Sequence, residues 1–210
     1  GIAFENAYLK QDREESQQEI VYLLGEAVET RSEETGNHVK RVARISEFFA
    51  LKLGLTEEDA ARIKAASPLH DLGKIAIPDS VLNKNGKLLP DEWEIMKTHA
   101  QVGYNMLKKS KHLTLEYAAI IAHEHHERWD GSGYPRGLSG EDIHLYGRIT
   151  AVADVFDALN SVRCYKPIWP LEKIEQYFSD ERGKHFDPKM VDILFECMPD
   201  ILSICSQLRD

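Results

Sequence analysis

The sequence predicts an all-α fold, and three observations lead to that class. Apolar residues recur three and four positions apart in most segments of the 210 residues, which is the spacing of a single helix face. Residues that favour the first and last turns of helices stand at the ends of these segments. Finally, the sequence contains no convincing run of alternating apolar and polar residues of the kind that forms sheets.

The first predicted helix spans residues 4–31, which contain no proline. Its second half carries the apolar positions Ile20, Leu23, Leu24, Ala27 and Val28, whereas residues 10–19 are polar. Such a helix buries little surface by itself, so we expect it to connect to an upstream segment or to pair with another copy. A solvated helix end is the alternative interpretation.

Two further helices are predicted before the first histidine motif. One spans His38 to Leu53 and is followed by Gly54, a residue suited to the turn that ends a helix. Thr56, with Asp59 three residues later, predicts a capping box at the start of the next helix.

The remaining predicted helices lie in the second half of the chain. One begins at Pro90, and the others span residues 114–126, 146–161, 170–178 and 187–198. Residues 75–89 and 130–147 contain glycine and proline and are predicted to be loops. Each loop follows a histidine motif, and long loops in compact domains are often functional.

Length and charge restrict the classes of protein that fit this chain. The 210 residues suffice for one core, so we expect an N-terminal connector at residues 1–30 and a catalytic domain at residues 31–210. The net charge of -9 argues against binding to a nucleic-acid polymer, which needs clustered basic residues. It does not exclude a phosphate substrate, because bound divalent ions would reverse the local charge.

Location is predicted from cysteines and hydropathy. The three cysteines form no CxxC pair, which favours a reducing compartment and hence the cytoplasm. The longest apolar runs are too short to span a bilayer, so no membrane insertion is expected. The chain starts at Gly1 without a methionine, and we expect domains upstream of it.

Two histidine motifs carry the chemistry. The first is His70-Asp71-Leu72-Gly73-Lys74, and the second begins with His125-His126 and continues into a glycine-rich loop. Imidazoles and carboxylates clustered without cysteine suit manganese, iron or zinc. Metals bound in such sites commonly activate water. The sequence therefore predicts a metallohydrolase.

Other histidines and acids extend this candidate site. The candidate metal ligands are Glu34, His38, His70, Asp71, His99, His125, His126 and Asp154. Glu34 and His38 are four residues apart, so a continuous helix would point both to one side. Asp71 has two carboxylate oxygens and can bridge two cations about 3.5 to 4 Å apart, with a hydroxide between them as the nucleophile.

Some of these residues have alternative interpretations. His99 taken alone is more often a packed or exposed side chain than a metal ligand. Asp154 stands in an apolar helix and needs a partner, because burying a bare carboxylate is costly, but that partner could be an arginine or a metal. The remaining histidines, including His123, are not assigned as ligands.

The motifs in this order resemble the HD-GYP branch of the HD superfamily, bacterial phosphodiesterases of cyclic di-GMP and related cyclic dinucleotides. The resemblance covers roughly Glu29 to Met198. It is carried by His70-Asp71 with Lys74, Ile77-Pro78-Asp79, His125-His126-Glu127, Gly133-Tyr134-Pro135, the segment 154–159, and Arg163 with Tyr165-Lys166. It implies an HD-domain helical bundle with extra C-terminal helices and an N-terminal connecting helix.

The resemblance also implies roles for individual residues. The candidate ligands match metal ligands of the family, and Glu34 matches the carboxylate of members with three metals, so two or three divalent ions, iron or manganese, are expected. Asp71 and Lys74 are the expected catalytic residues. The residues expected to contact substrate are Lys74, Arg163, Lys166, Tyr134 and Asp157.

The expected function is metal-dependent hydrolysis of cyclic di-GMP to pGpG and on to GMP in bacterial second-messenger signalling. The alternatives are a non-hydrolysing cyclic dinucleotide receptor or interaction module, and a phosphodiesterase for hybrid cyclic GMP-AMP. Expected partners are an upstream sensory or receiver domain, cyclase-domain proteins and a second copy of the chain. The Gly133-Tyr134-Pro135 loop either approaches the metal-bearing helices or simply shapes a turn. Cys164 and His144 stand where the family commonly has proline.

Overall fold

The computed structural model describes residues 2–32, 36–161 and 168–208, and these ranges contain helices and no β-strand. The α-helices are α1 (Ile2–Arg31), α2 (Gly36–Lys52), α3 (Glu57–Ala66), α4 (Asp79–Leu82), α5 (Pro90–Leu107), α6 (Leu113–Glu124), α7 (Leu145–Asn160), α8 (Leu171–Asp180), α9 (Pro188–Glu196) and α10 (Met198–Gln207). Short 3-10 helices occur at Ser67–Leu69, Leu72–Ala76 and Gly140–Asp142. The predicted all-α class is confirmed.

The C-terminal part differs from the prediction. The helix expected over residues 187–198 corresponds to α9 and ends at Glu196, and α10, which was not predicted, begins at Met198 after Cys197. Pro199 lies in the first turn of α10, where its missing N–H costs nothing, so it begins a new helix. Two smaller differences concern α6, which ends at Glu124 before both motif histidines, and α4, which interrupts a predicted loop.

The helix ends near α2 and α3 follow the sequence signals. Gly54 has a φ of 84° after the end of α2, a conformation that glycine adopts without strain. Thr56 caps α3, because its hydroxyl oxygen accepts from the Asp59 N–H at 3.1 Å. The carboxylate of Asp59 accepts from the Thr56 hydroxyl at 2.9 Å.

Two apolar clusters form the core. The larger cluster joins α2, α3 and α7–α10 through large buried side chains such as Phe49, Phe156 and Phe178. The smaller cluster joins α5, α6 and the 3-10 turn before the first histidine motif, with Leu69 and Ile121 at its centre. The histidine motifs follow the smaller cluster along the chain, whereas Asp154 belongs to α7 of the larger one.

Among the residues of α1 whose burial is described, the buried ones lie in its last two turns. Ile20, Leu23 and Leu24 are exposed, and Leu23 retains 57% of its accessible surface. Val28 and Glu29, in the last turns, are buried. The apolar residues that define the predicted stripe therefore largely face away from the domain. No helix among the described residues is both long and apolar enough to cross a membrane.

Candidate metal centre

Four buried histidines are held by one ring nitrogen each. In His38, Nδ1 lies 2.8 Å from a carboxylate oxygen, Oδ2 of Asp157. In the other three rings Nδ1 lies close to a backbone carbonyl oxygen. The distances are 2.9 Å from Ser67 in His70, 2.7 Å from Met96 in His99 and 3.0 Å from Ile121 in His125. A carbonyl oxygen can only accept, so Nδ1 carries the hydrogen in the last three rings. Their Nε2 lone pairs are thus available to a metal.

The first pocket consists of Asp71, His99, His125 and His126. Donor atoms of these four residues lie within 4.8 Å of one another. Asp71 Oδ1 is 3.2 Å from His99 Nε2 and 3.6 Å from His125 Nε2. Helix α5 supplies His99. His125 and His126 come from the segment that directly follows α6.

The second pocket consists of Glu29, His38, His70 and Asp154. The first three bring donor atoms within 4.8 Å of one another. Asp154 Oδ1 lies 3.5 Å from His38 Nε2 and 4.0 Å from His70 Nε2. Glu29 was not predicted from the sequence, because it belongs to no histidine motif and stands in a helix of mostly polar composition.

Asp71 lies between the two pockets. Its Oδ1 faces the histidines of the first pocket, and its Oδ2 is 3.3 Å from His70 Nε2. This arrangement suits a carboxylate that bridges two cations.

The buried nitrogen and oxygen atoms of the two pockets are suited to binding a cation. His70 Nε2, Asp71 Oδ1, His99 Nε2 and His125 Nε2 are all buried, and within the described ranges none of them makes a hydrogen bond. Buried polar atoms without partners cost free energy, so such a group of them requires an explanation. A divalent cation would satisfy these atoms, and a set of imidazole and carboxylate donors suits first-row metals.

The charges in the two pockets shift the pKa values in opposite directions. Burial alone would lower the pKa of His70, but Asp71, Asp154 and Glu29 together raise it to about 10. Burial also works against ionisation of Asp71, yet Lys74 and His70 hold the pKa of this carboxyl well below its usual range. Burial and the neighbouring histidines lower the pKa of His126, which keeps this ring neutral.

Asp157 lies beside the His38 ring in the interior, and this position does not support its predicted contact with substrate. The side chain is fully buried. Its Oδ2 lies 2.8 Å from His38 Nδ1, and its Oδ1 accepts from Arg41 Nε at 2.6 Å. Both carboxylate oxygens are thus occupied, and no surface remains for a nucleotide. A sequence motif specifies the residue type but not its burial.

Lys74 reaches both pockets. Its Nζ lies 2.6 Å from Asp71 Oδ2 and 3.6 Å from Glu29 Oε2, and its side chain is largely buried. A positive charge at this point offsets the carboxylates of both pockets.

The loop that contains Gly133-Tyr134-Pro135 packs directly on the ligand-bearing segment. A Cβ on Gly133 would lie 2.3 Å from the Arg128 nitrogen and 2.6 Å from the His126 carbonyl oxygen. The Tyr134 ring stacks on the His126 ring with centroids 4.8 Å apart, and burial raises the pKa of its hydroxyl. The glycine therefore permits the backbone approach to a metal-bearing segment that the sequence suggested.

Glu127 holds the loop that contains Gly133-Tyr134-Pro135 in place through hydrogen bonds. It is buried, and its two carboxylate oxygens accept from the Arg136 N–H at 2.8 Å and the Leu138 N–H at 2.9 Å. This carboxylate therefore connects the end of α6 to the far side of the loop.

One histidine that the sequence left unassigned lies apart from the two pockets. His123 stacks on Tyr104 at 4.1 Å and lies 3.1 Å from Gln101 Oε1, outside both pockets. Glu34, Arg163 and Lys166 lie outside the described residues.

Known proteins resemble this chain over most of its length. Residues 23–190 match the family model described as HD domain. The chain is 50% identical over 210 residues to the 3'3'-cGAMP-specific phosphodiesterase 2 of Vibrio cholerae, covering 100% of this chain and 40% of that protein. It is 47% identical to the cyclic di-GMP phosphodiesterase response regulator RpfG of Xanthomonas campestris, covering 92% and 51%. The chain thus spans about half or less of these relatives.

Two solved structures share the fold. One is a cyclic GMP-AMP specific phosphodiesterase of V. cholerae, with a TM-score of 0.67, 22% identity and coverage of 89% of this chain and 50% of that one. The other is Bd1817, an HDG"Y"P protein of Bdellovibrio bacteriovorus, with a TM-score of 0.61, 21% identity and coverage of 88% and 64%. The matched region contains both histidine motifs and the Gly133-Tyr134-Pro135 loop, and the chain belongs to the HD domain family.

Proposed function

We propose that this chain hydrolyses a 3′-5′ phosphodiester of a cyclic dinucleotide, with cyclic di-GMP as the leading candidate. The observation that carries the proposal is the pair of buried donor pockets that share Asp71. Divalent ions bound there would activate water and neutralise charge on the phosphate. Names of relatives from three bacteria, including Thermotoga maritima, support this substrate class.

Each candidate site residue has a proposed role in this reaction. The histidines of the two pockets, with Asp71 and Asp154, hold two ions, iron or manganese, and Glu34 is the proposed carboxylate for a third. Lys74 stabilises negative charge as it develops on the phosphate or assists proton transfer. Arg163 and Lys166 are proposed to hold substrate phosphates, a role in which an arginine pairs two oxygens at once. Tyr134 is proposed to line the substrate side of the first pocket.

Hybrid cyclic GMP-AMP is the second candidate substrate. The relative that is 50% identical to this chain is named a 3'3'-cGAMP-specific phosphodiesterase. Both dinucleotides contain the same phosphodiester linkage, so the metal centre serves either, and the base-contacting residues decide between them. A non-hydrolysing receptor remains the alternative outside the enzyme class.

Further domains, partners and a cellular location are also proposed for this protein. We propose an upstream sensory or receiver domain, a homodimer that uses the exposed face of α1, and docking of cyclase-domain proteins. Cytoplasmic location is supported by the free thiols of Cys197 and Cys205.

Turnover by metal-loaded protein tests the function. Protein purified without oxygen and loaded with Fe²⁺ or Mn²⁺ is incubated with cyclic di-GMP or 3'3'-cGAMP, and the products are separated by chromatography. We expect cyclic di-GMP to give pGpG and then GMP. Dinucleotide that binds to fully metal-loaded protein without being cleaved would indicate a receptor.

Asp71→Ala tests the shared carboxylate. We expect it to lower turnover at least about a thousandfold and to reduce bound metal, because both pockets lose a donor. Asp192→Ala is the matched control, since Asp192 pairs with Arg182 at the surface. Full metal content together with normal turnover in Asp71→Ala would contradict the bridging role.

A further inference from the structure

Glu29 is a buried carboxylate that the histidine motifs do not explain. Only 1% of its surface is accessible. One of its oxygens lies within 4.8 Å of ring nitrogens of both His38 and His70. The Ser32 hydroxyl lies 3.2 Å from Oε2, and Lys74 Nζ is 3.6 Å away. Lys74 is much closer to Asp71, at 2.6 Å, so its charge is directed mainly there.

The buried carboxylate of Glu29 faces two imidazoles and lies 3.6 Å from the ammonium of Lys74. Loss of hydration makes an ionised carboxylate costly unless it is paired or coordinates a metal. The 3.6 Å separation from Lys74 exceeds the length of a direct hydrogen bond. A cation between Glu29, His38 and His70 would satisfy the carboxylate and both rings.

The end of α1 is fastened to the segment that carries the first histidine motif. Arg31 donates from Nη1 to the Lys74 carbonyl oxygen at 2.8 Å and from Nη2 to the Ile77 carbonyl oxygen at 2.6 Å. One helical turn before Glu29, a Cβ on Gly25 would lie 2.5 Å from the Pro68 carbonyl oxygen. Helix α1 therefore touches the chain on both sides of His70 and Asp71.

We propose that Glu29 is a metal ligand of the second pocket, supplied by α1. The inference rests on the proposed metal centre and adds a donor to it. Together with His38, His70 and Asp154, it gives two nitrogen and two oxygen donors, a set that suits manganese or iron. Occupancy of this pocket then depends on the docked position of α1, so displacement of the helix would remove a ligand.

Metal uptake by Glu29→Gln tests the assignment. Wild type and variant are loaded with Mn²⁺ without oxygen and desalted. Metal per chain is measured by mass spectrometry, and affinity by competition with a chelator. We expect Glu29→Gln to retain about one ion fewer per chain or to bind the weaker ion at least about tenfold less tightly.

Glu26→Gln is the matched control, because Glu26 lies on the same helix and pairs with Lys40 at 2.8 Å. It should take up metal like the wild type. Glu29→Asp, which keeps the carboxylate, should recover part of the lost uptake. Lys74→Met should keep the full number of ions if Glu29 binds metal directly, whereas equal losses in Lys74→Met and Glu29→Gln would overturn the assignment.

Other results separate this inference from the proposed function. Full uptake at wild-type affinity in Glu29→Gln overturns the ligand role alone. A wild-type chain that takes up no metal overturns both proposals. If Glu29→Gln does not fold, hydrogen exchange of the wild type decides: Mn²⁺ should slow amide exchange in residues 26–31 but not in residues 12–19, and unchanged exchange in both segments overturns the inference.

Discussion

Gly73, in the first histidine motif, is required by close packing of the backbone. A Cβ at this position would lie 1.9 Å from the His99 carbonyl oxygen and 2.6 Å from the Gly103 nitrogen. Both neighbouring atoms belong to the backbone of α5, so neither can move aside as a flexible side chain would. The glycine thus sets how closely Asp71 approaches His99, and a residue without metal contact determines the geometry of the first pocket.

Gly73→Ala should therefore damage both stability and metal binding. We expect the free energy of unfolding to fall by about 3 kcal/mol or more, because overpacking at a rigid contact shifts backbone. Gly36→Ala is the control, since its Cβ would meet only the flexible end of Glu26 at 3.2 Å. Denaturant unfolding and metal analysis measure the two effects. Equal stability of the two variants would show that the contact at Gly73 is easily relieved.

Asp157 shows how a residue remote from substrate can affect the metals. It orients His38 through Nδ1 and is held in turn by Arg41. Asp157→Asn should weaken metal binding by about 10–100-fold, the usual effect of removing a partner of a ligating histidine. Once the protein is saturated with metal, KM for the dinucleotide should stay unchanged, because the buried carboxylate cannot touch substrate.

Steady-state kinetics at several Mn²⁺ concentrations separate these effects for Asp157→Asn. Asp180→Asn provides a comparison, because Asp180 is an exposed residue that accepts from Gln176. An increase in KM with unchanged metal affinity would restore the substrate role that the sequence suggested.

At the scale of elements, sequence signals located the ligands that stand on strongly patterned helices. His38, His99 and Asp154 lie on α2, α5 and α7, whose apolar periodicity and end signals are clear. The resemblance to a known family implied a ligand role for all three residues, although only Asp154 lies in one of the motifs that carry the resemblance. The sequence did not indicate how the helices are rotated to bring these residues together.

Helix α1 illustrates what sequence could not reveal. Its apolar residues suggested a face through Ile20, Leu23 and Leu24, but these side chains are exposed and Glu29 is buried. The rotation of α1 follows from contacts distant in sequence, namely Gly25 with Pro68 and Arg31 with the segment after Lys74. Local hydrophobic periodicity contains no information about such contacts. The same limit explains why Asp157 was given a substrate role.

The loop after α6 depends on one carboxylate for its position. Glu127 accepts from two backbone N–H groups across the loop while buried. Glu127→Gln replaces one accepting oxygen by a donor, which leaves a buried N–H unsatisfied. We expect a loss of about 1–3 kcal/mol in unfolding free energy and faster amide exchange in residues 131–138.

Activity of Glu127→Gln should also fall, because Tyr134 would no longer be held against His126. Glu141→Gln is a suitable comparison, since Glu141 lies in the same loop region and is exposed. Hydrogen exchange followed by mass spectrometry measures the loop directly. Wild-type exchange in residues 131–138 would show that the loop holds its position without this carboxylate.

At the scale of the molecule, the metal centre joins parts of the chain that belong to different packed groups. His70 and Asp71 follow the smaller apolar cluster, Asp154 is on α7 of the larger cluster, and Glu29 is on α1. Metal bound across these elements would couple their relative positions, since a ligand that binds only the folded state stabilises it. The net charge of -9 describes the surface and not this centre, where histidines and Lys74 balance the carboxylates.

The same balance predicts that metal uptake releases protons. In the metal-free protein, burial alone would lower the pKa of His70, but the nearby carboxylates raise it to about 10. Asp157 likewise raises the pKa of His38 against the effect of burial. The His70 ring therefore holds an extra proton at pH 7.5, and a metal must displace it. Because protonation competes with metal, apparent affinity for Mn²⁺ should increase from pH 7 to pH 9.

Titration calorimetry in two buffers with different ionisation enthalpies measures this release. We expect the apparent enthalpy at pH 7.5 to differ between buffers by an amount equivalent to about one proton per chain, the one held by His70. Without metal, the raised pKa of His70 adds stability that is complete below its unfolded value near 6.5 and is lost as pH rises through about 10. Enthalpies that are identical in both buffers would mean that the His70 ring is already neutral before metal binds.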